Sequence, residues 1–388
     1  MIMIGITIFI FGTYAALIIY YRQSWLQIPV EDAESAIKNG LSTTISVIIS
    51  ARDEEKNIYD CLQSIVSQIY PKQLFEVIVV DDHSIDATTE IVQSFIDKNF
   101  SLISLRDFTG NEILNSYKKK AIEIAVSKAT GELIVTTDAD CIAPPQWLQT
   151  IASFYEKYHP AFIAAPVDYS FTSLKGERLS ARFLKIFQSL DFITLQGITG
   201  AAVSKKFHSM CNGANMAYEK KVFYEVDGYK GIDTIASGDD MLLMHKIYKE
   251  YPNRVLFLKS ANAIMETKPV DTLTDFFNQR IRWASKADKY TDKKITTVLI
   301  FVYLFNAWIL ALAVSSFFYH LIIYWFVATL FAKTVCELFF LYPVAKFFNK
   351  EKMLLWFPIA QPFHIVYIIL SGWLGKFGSY KWKERKVK

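Results

Sequence analysis

The chain has 388 residues, 52% hydrophobic and 15% aromatic, with 42 Lys and Arg against 38 Asp and Glu for a formal net charge of +4. This apolar bulk excludes an ordinary soluble enzyme and calls for a search for membrane segments. The four cysteines are scattered without a C-x-x-C, and the six histidines show no H-x-x-x-H spacing, so no zinc site or disulfide framework is readable.

The first 21 residues, "MIMIGITIFIFGTYAALIIYY", carry no charge, and Arg22 follows. With no basic start and no small-residue cleavage site, residues 1–22 read as an uncleaved anchor. The basic flank puts the following domain in the cytosol by the positive-inside rule. Residues 23–43, including "EDAESAIKNG" (31–40), read as a linker.

An α/β domain is expected over 44–270. "TISVIIS" (44–50), "FEVIVV" (75–80), "SLISL" (101–105) and "ELIVTT" (132–137) read as strands. Between them, Ile58, Cys61, Leu62, Ile65, Val66 and Ile69 have helical spacing, a helix is expected over 87–98, and Ala121, Ile122, Ala125, Val126 and Ala129 form one apolar face. Alternating strand and helix means right-handed crossovers and a largely parallel, buried sheet. Ligands of such sheets bind past the carboxyl ends of the strands, where three polar clusters stand: Arg52 to Glu55, Asp81 to Ser84, and Asp138 to Asp140.

Asp138 and Asp140 flank one residue after a strand, so both carboxylates can reach one hard cation, Mg²⁺ or Mn²⁺, or else form a solvated acidic turn. In "DDHSIDAT", Asp81 and Asp82 are candidates for a ligand, such as the imide N–H of a uracil ring, and Asp86 for a helix cap. "SGDDMLL" (237–243) holds Asp239 and Asp240, which suit either helix capping or general-base work.

"FNQRIRW" (277–283) lies on an expected amphipathic, interfacial helix within 271–294. An Arg fork matches diphosphate oxygens and an indole face packs on a sugar ring. The same letters also suit an interfacial Arg/Trp belt. Ile295 to Phe317, Tyr319 to Tyr342 and Met353 to Gly375 are each long enough to span a bilayer at about 1.5 Å per residue, giving two to three spans within 295–375. If all three cross, the basic tail 376–388 ends outside. Pro358, Gln361, Pro362 and His364 make the last segment the candidate to lie interfacially or re-enter. Lys333 and Glu337 either line a sugar path or pair with each other near the interface, with Lys333 snorkelling.

In order, "SARDEE", "VVDDHSIDAT", "KKKAI", "GELIVTTDADC", "CNGANMAYEK", "SGDD" and "QRIRW" resemble the family-two inverting glycosyltransferases of GT-A (Rossmann-like) fold. More narrowly, they are similar to the membrane-embedded D, D-x-D, D, Q-x-x-R-W group, which includes cellulose, chitin, hyaluronan and poly-N-acetylglucosamine synthases and some glycolipid synthases. The resemblance spans about residues 44–290. It implies that Ala51, Arg52 and Glu54 line the nucleotide pocket, that Asp82, with Asp81, binds the uracil, and that Lys119 approaches the base or diphosphate, the adjacent Lys118 and Lys120 leaving the register open. Asp138 and Asp140 would hold nucleotide and metal. Asn212, Gly213 and Asn215, with Asp239, would border the acceptor, and Asp240 would be the base. Gln279, Arg282 and Trp283 would clamp the diphosphate and the acceptor sugar. Where many synthases of the group carry T-E-D, this chain has Gly238, Asp239 and Asp240, a departure that bears on the acceptor.

The expected partners are a nucleotide-sugar donor, a glycan or lipid acceptor, the bilayer of the plasma (inner) membrane, and a homo-oligomer or export partner, with no nucleic acid. A β-linked polysaccharide is the expected product. Transfer of one sugar to a lipid is the alternative, and a non-catalytic transporter or binding protein stands behind both.

Overall fold

The computed structural model describes all residues except 1, 32–39, 98, 111–113, 172–175, 209, 236, 287–288, 291, 378–379, 383–384 and 388. In chain order the elements begin with helix α1 (Ile2–Gln27), strand β1 (Ile45–Ala51), α2 (Ile58–Val66), β2 (Phe75–Asp81), α3 (Thr88–Gln93) and β3 (Phe100–Ser104). There follow α4 (Arg106–Thr109), α5 (Tyr117–Lys128), β4 (Leu133–Asp138), α6 (Trp147–Tyr158), β5 (Phe162–Ala164), β6 (Val167–Tyr169) and α7 (Leu179–Ser204). The remainder is β7 (Met216–Glu219), α8 (Lys220–Glu225), α9 (Asp239–Glu250), β8 (Val255–Phe257), β9 (Met265–Thr267), α10 (Leu273–Ala284), α11 (Lys293–Ser315), α12 (Ile322–Phe347), α13 (Phe357–Phe377), β10 (Tyr380–Trp382) and β11 (Arg385–Val387). These elements divide into two compact units. One comprises Pro29–Ser170 and Ser209–Lys268, and the other Met1–Ile28, Phe171–His208 and Pro269–Lys388.

The first unit is built on a seven-stranded sheet of order β3-β2-β1-β4-β7-β5-β8. β1 pairs in parallel with β2 on one side and β4 on the other. Its residues Val47, Ile48 and Ile49 are almost wholly buried, as the unbroken apolar run requires of a strand covered on both faces. β7 enters antiparallel to β4. A Cβ on Gly131, just before β4, would meet the Ser46 backbone nitrogen at 2.5 Å, so only glycine lets the turn into β4 come this close to β1. The four expected strands form within one residue of their expected bounds. The helix expected over 87–98 is shorter, ending at Gln93, and Lys98 lies outside the described residues.

In the second unit, four helices are long and apolar enough to cross a membrane: Ile2–Gln27, Lys293–Ser315, Ile322–Phe347 and Glu351–Phe377. Large apolar side chains such as Phe9, Leu304, Tyr324 and Phe331 stand exposed on them, as lipid-facing side chains do. The helix that contains the expected anchor, 1–22, runs on to Gln27. Tyr21, Ser24 and Trp25 continue its buried face, and the helix ends just before Pro29. Of the stretch read as a linker, 23–43, residues 32–39 lie outside the described residues and 23–27 belong to α1. The last apolar segment is a single helix with Pro362 inside it, preceded by a 3₁₀ turn at Glu351–Trp356. The helix expected within 271–294 is capped at Thr272, whose hydroxyl accepts the Asp275 N–H at 3.1 Å, and ends at Ala284.

Polar side chains inside this unit pair with one another. Lys333 Nζ donates to Glu337 Oε1 at 2.7 Å and to Gln361 Oε1 at 2.9 Å. Tyr14 Oη donates to the same Glu337 Oε1, and Gln361 Nε2 donates to Glu337 Oε2. The i, i+4 pair forms, as one of the two readings had it, but Lys333 is fully buried and so does not snorkel. Removing one partner of such a pair typically costs about 3–5 kcal/mol, because a buried charge is left uncompensated. A second cluster joins α7, α10 and α13. Arg280 Nη2 lies 2.7 Å from Asp191 Oδ2, Tyr367 Oη donates to Asp191 Oδ1 at 2.5 Å, and Phe187, Phe276 and Phe363 pack around them.

Candidate active site

At the carboxyl ends of β1 and β2, two loops are stapled to each other. Ala51 closes β1, fully buried, and its carbonyl accepts the Asp82 N–H at 2.8 Å. Arg52 Nη1 donates to the Asp82 carbonyl at 2.9 Å and stands 3.8 Å from its carboxylate. In return, the Asp53 N–H donates to Ser84 Oγ at 3.1 Å, the Ile85 N–H to Asp53 Oδ1 at 3.0 Å, and the Glu54 N–H to Thr88 Oγ1 at 2.7 Å. Asp53 and His83 have positive φ, 50° and 59°, where the two loops turn. Asp81 accepts the Ser84 N–H at 3.2 Å, and Asp82, 1% exposed, has His83 Nδ1 3.0 Å from Oδ1. Asp86 accepts the Thr88 N–H at 3.0 Å and the Glu55 N–H at 3.1 Å, and it stands one residue before Ala87, which holds the cap position of α3 in its place. These contacts fix a shelf of backbone and carboxylate before any ligand arrives.

The chemistry-bearing carboxylates gather beside it, past β4. Lys118 Nζ, from the first turn of α5, donates to Asp138 Oδ1 at 2.7 Å and lies 3.2 Å from Asp239 Oδ2. Burial alone would lower its pKa, but Asp138 and Asp239 outweigh this and raise it well above the usual lysine range. Gly213 sits among these groups. A Cβ there would lie 3.3 Å from Asp239 Oδ2, 3.5 Å from Asp240 Cβ and 3.6 Å from Lys118 Nζ. The Gly213 N–H donates to Asp240 Oδ2 at 3.2 Å, and its carbonyl accepts from Thr136 Oγ1 at 3.1 Å. Gly238, at φ 81°, caps α9 and turns Asp239 and Asp240 into its first turn, where the helix dipole favours negative charge.

Asp138, Asp140 and Cys141 each offer a ligand atom, all within 4.8 Å of one another. Burial first, then the charges of Asp138 and Glu54, push the Asp140 carboxyl up to about 6. A divalent cation between the two carboxylates would relieve that repulsion, so the donor set fits Mg²⁺ or Mn²⁺. Cys141 and the nearby Cys61 add nothing to it. Burial first, and the carboxylates next, hold both thiols protonated.

Two of the residues singled out in the sequence stand away from such a surface. Lys119 points the other way. Its ammonium is buried and donates to the carbonyls of Ile232 (2.7 Å), Ile235 (2.5 Å) and Ser237 (3.1 Å), which holds the segment before Asp239. Lys118 stands among the carboxylates instead. Three and four residues before Ala121 and Ile122, it shares the sheet-facing side of α5, a signal present in the apolar period. Asn215 is fully buried. Its amide donates to the carbonyls of Pro166 and Ala263 at 2.7 Å each and accepts from Trp147 Nε1 at 2.9 Å, so it braces the sheet rather than facing an acceptor. Asn212 accepts the Ala214 N–H at 3.0 Å and shapes the turn around Gly213.

Gln279, Arg282 and Trp283 belong to the helical unit. Gln279 Oε1 accepts from Arg280 Nη1 at 2.8 Å, and the Arg280 guanidinium lies over the Trp283 ring, 4.1 Å from its centroid. Arg282 is half-buried in the last turn of α10.

Residues 46–227 match the family model described as "Glycosyl transferase family 2". Glycosyltransferase AglE of Haloferax volcanii is 34% identical over 105 residues, 27% of this chain and 33% of that protein. The poly(ribitol-phosphate) beta-N-acetylglucosaminyltransferase TarS of Staphylococcus aureus is 33% identical over 115 residues, 29% of this chain and 19% of that protein. The match thus spans a third or less of these relatives' length. A mannosyltransferase of Pyrobaculum calidifontis, solved with GDP-Man and Mn²⁺, superposes with a TM-score of 0.56 at 19% identity, covering 94% of this chain and 98% of that one. That likeness is one of fold.

Lys119→Met should leave three carbonyls without their donor. Thermal unfolding should then fall by several degrees, for a loss of about 1–3 kcal/mol per buried group left unmade. Limited proteolysis should open first between residues 230 and 238. Unchanged melting and cleavage would show that the lysine does not hold this segment.

Proposed function

We infer, from the match of residues 46–227 to the family 2 glycosyl transferase model and from the likeness of fold to a mannosyltransferase, that the protein is an inverting glycosyltransferase of GT-A fold using a nucleotide-sugar donor. The observation that carries this reading is the convergence of Asp138, Lys118, Asp239, Asp240 and Gly213 within a few ångströms past the end of β4. The nucleoside lies over the shelf formed by Ala51, Arg52, Glu54, Asp81 and Asp82, with uridine as the expected base. Asp240 is the base. It is partly exposed, and two backbone N–H groups, from Gly213 and Met241 at 3.2 and 2.7 Å, hold its carboxylate oxygens in place.

In the reaction, Asp240 takes the proton of the acceptor hydroxyl as its oxygen attacks the anomeric carbon from the face opposite the diphosphate. The bond from that carbon to the diphosphate breaks, and its electron pair leaves with the nucleoside diphosphate. One displacement inverts the centre, so an α-linked donor gives a β-linked product. Asp138 and Asp140 would hold Mg²⁺ or Mn²⁺, which when bound neutralises charge on the leaving diphosphate. Lys118 exchanges a carboxylate partner for diphosphate oxygen. Gln279, Arg282 and Trp283 serve the diphosphate and the acceptor sugar.

The acceptor proposed is a growing β-linked polysaccharide at the cytosolic face of the plasma (inner) membrane, since the Trp283 ring suits a sugar. A second reading, one sugar moved to a lipid, is favoured by the helical unit. Its buried Lys333, Glu337, Gln361 and Tyr14 are committed to one another and so do not wall a polar path. An exported polymer would then need helices from a second copy or a partner.

Asp240→Asn should lower turnover about 10²–10⁴-fold while nucleotide binding stays near normal. Near-normal turnover would remove Asp240 from the role of base. EDTA should abolish transfer, and Mg²⁺ or Mn²⁺ should restore it. Full activity in EDTA would remove the metal from the reaction. To test the acceptor, membranes are offered a panel of labelled nucleotide sugars and the product is sized. High-mass, β-glycanase-sensitive material is expected. Label that extracts wholly into organic solvent as a single lipid-linked sugar would establish the second reading.

A further inference from the structure

The second letter of "QRIRW" is no part of the Q-x-x-R-W pattern, yet in the helical unit it is the best-anchored of the five. The Arg280 side chain is 3% exposed and that of Asp191, its ion-pair partner on α7, is 4%. The guanidinium lies 4.8 Å from the Phe276 ring centroid and 4.1 Å from that of Trp283, and it donates to Gln279 Oε1 at 2.8 Å. One planar cation therefore touches both Gln279 and Trp283. Its own position is set from α7 and α13. Asp191 accepts from Tyr367 Oη, and His364 Nε2 stands 4.0 Å from the same oxygen. On α7, Phe192 packs 6.1 Å from Trp283, centroid to centroid. Gln188 exchanges two hydrogen bonds with Val270, at 2.8 and 3.1 Å, just ahead of α10.

We propose that Asp191 is a positioning residue for sugar transfer: through its ion pair it holds Arg280 flat against Trp283 and fixes the Gln279 amide. It acts on the acceptor platform without touching substrate. A buried carboxylate so far along the chain from the motif has one function that aliphatic packing cannot supply, which is to orient a guanidinium plane. Lysine in place of Arg280 would answer the charge but would offer neither the flat face nor the fork that reaches Gln279. The inference rests on the reading that Gln279 and Trp283 serve the diphosphate and the acceptor.

The test compares transfer with plain hydrolysis of UDP-glucose, UDP-N-acetylglucosamine or GDP-mannose, whichever the unmodified protein turns over, in the full chain. Asp191→Asn should lower the transfer-to-hydrolysis ratio about 10- to 100-fold, the scale of an ångström-sized misplacement, with the donor KM within about twofold. In a Trp283→Ala background the same change should have little further effect, because the ring it positions is gone. Arg280→Lys, which keeps the charge pair, should reproduce the fall and serves also if Asp191→Asn does not fold. An unchanged ratio in Arg280→Lys, or an Asp191→Asn effect of full size without Trp283, would overturn the inference. Failure of the underlying reading would show differently, as an unchanged transfer-to-hydrolysis ratio in Trp283→Ala alone.

Discussion

One ammonium group makes the candidate site possible. Asp138 and Asp239 come from elements a hundred residues apart, and both carboxylates lie within 3.2 Å of Lys118 Nζ. Without a cation there, two negative charges at the carboxyl end of the sheet would repel each other. With it, β4, the Gly213 turn and the start of α9 converge, and Asp240 is presented at their edge. The adjacent Lys119 fastens the approach to α9 by three backbone carbonyls. Two consecutive lysines on α5 thus perform two different tasks, one electrostatic and one structural.

The sheet supplies the rest of that arrangement at small cost. Its central strand β1 has a parallel partner on each side, so the chain crosses over in opposite directions from it and leaves a crevice at the carboxyl ends. The loops after β1 and β2 satisfy each other's N–H groups through Asp53, Ser84 and Thr88. Such a shelf is ordered before a nucleotide meets it, so binding loses little conformational freedom.

The helical unit obeys the opposite constraint. Apolar surroundings give a polar side chain no water, so each must find its partner within the protein. The Lys333 group and the Asp191–Arg280 group solve this with long-range pairs that tie α1 to α12 and α13, and α7 to α10 and α13. The carboxylates of the first unit and the closed polar groups of the second together make the acceptor, more than the donor, the feature on which the proposed function turns.

The sequence by itself determined the elements and the inventory of chemistry. Apolar runs that a buried parallel sheet needs marked β1 to β4 to within a residue, and the carboxylates at their ends were visible because such a sheet leaves its polar residues there. The four apolar helices followed from length and charge alone. Partner choice was decided only in three dimensions. The apolar period of α5 puts Lys118 on the face of Ala121 and Ile122, but it does not tell which carboxylates the lysine meets, since Asp138 and Asp239 lie on other elements. Nothing in "CNGANM" shows that Asn215 turns into the sheet, where Trp147 and two carbonyls take its whole amide. Asp191 carried no motif, and its pairing with Arg280 spans 89 positions of chain. Periodicity reports which face a residue occupies; the neighbour across that face is chosen by packing between segments distant in sequence, and so only the tertiary structure could supply it.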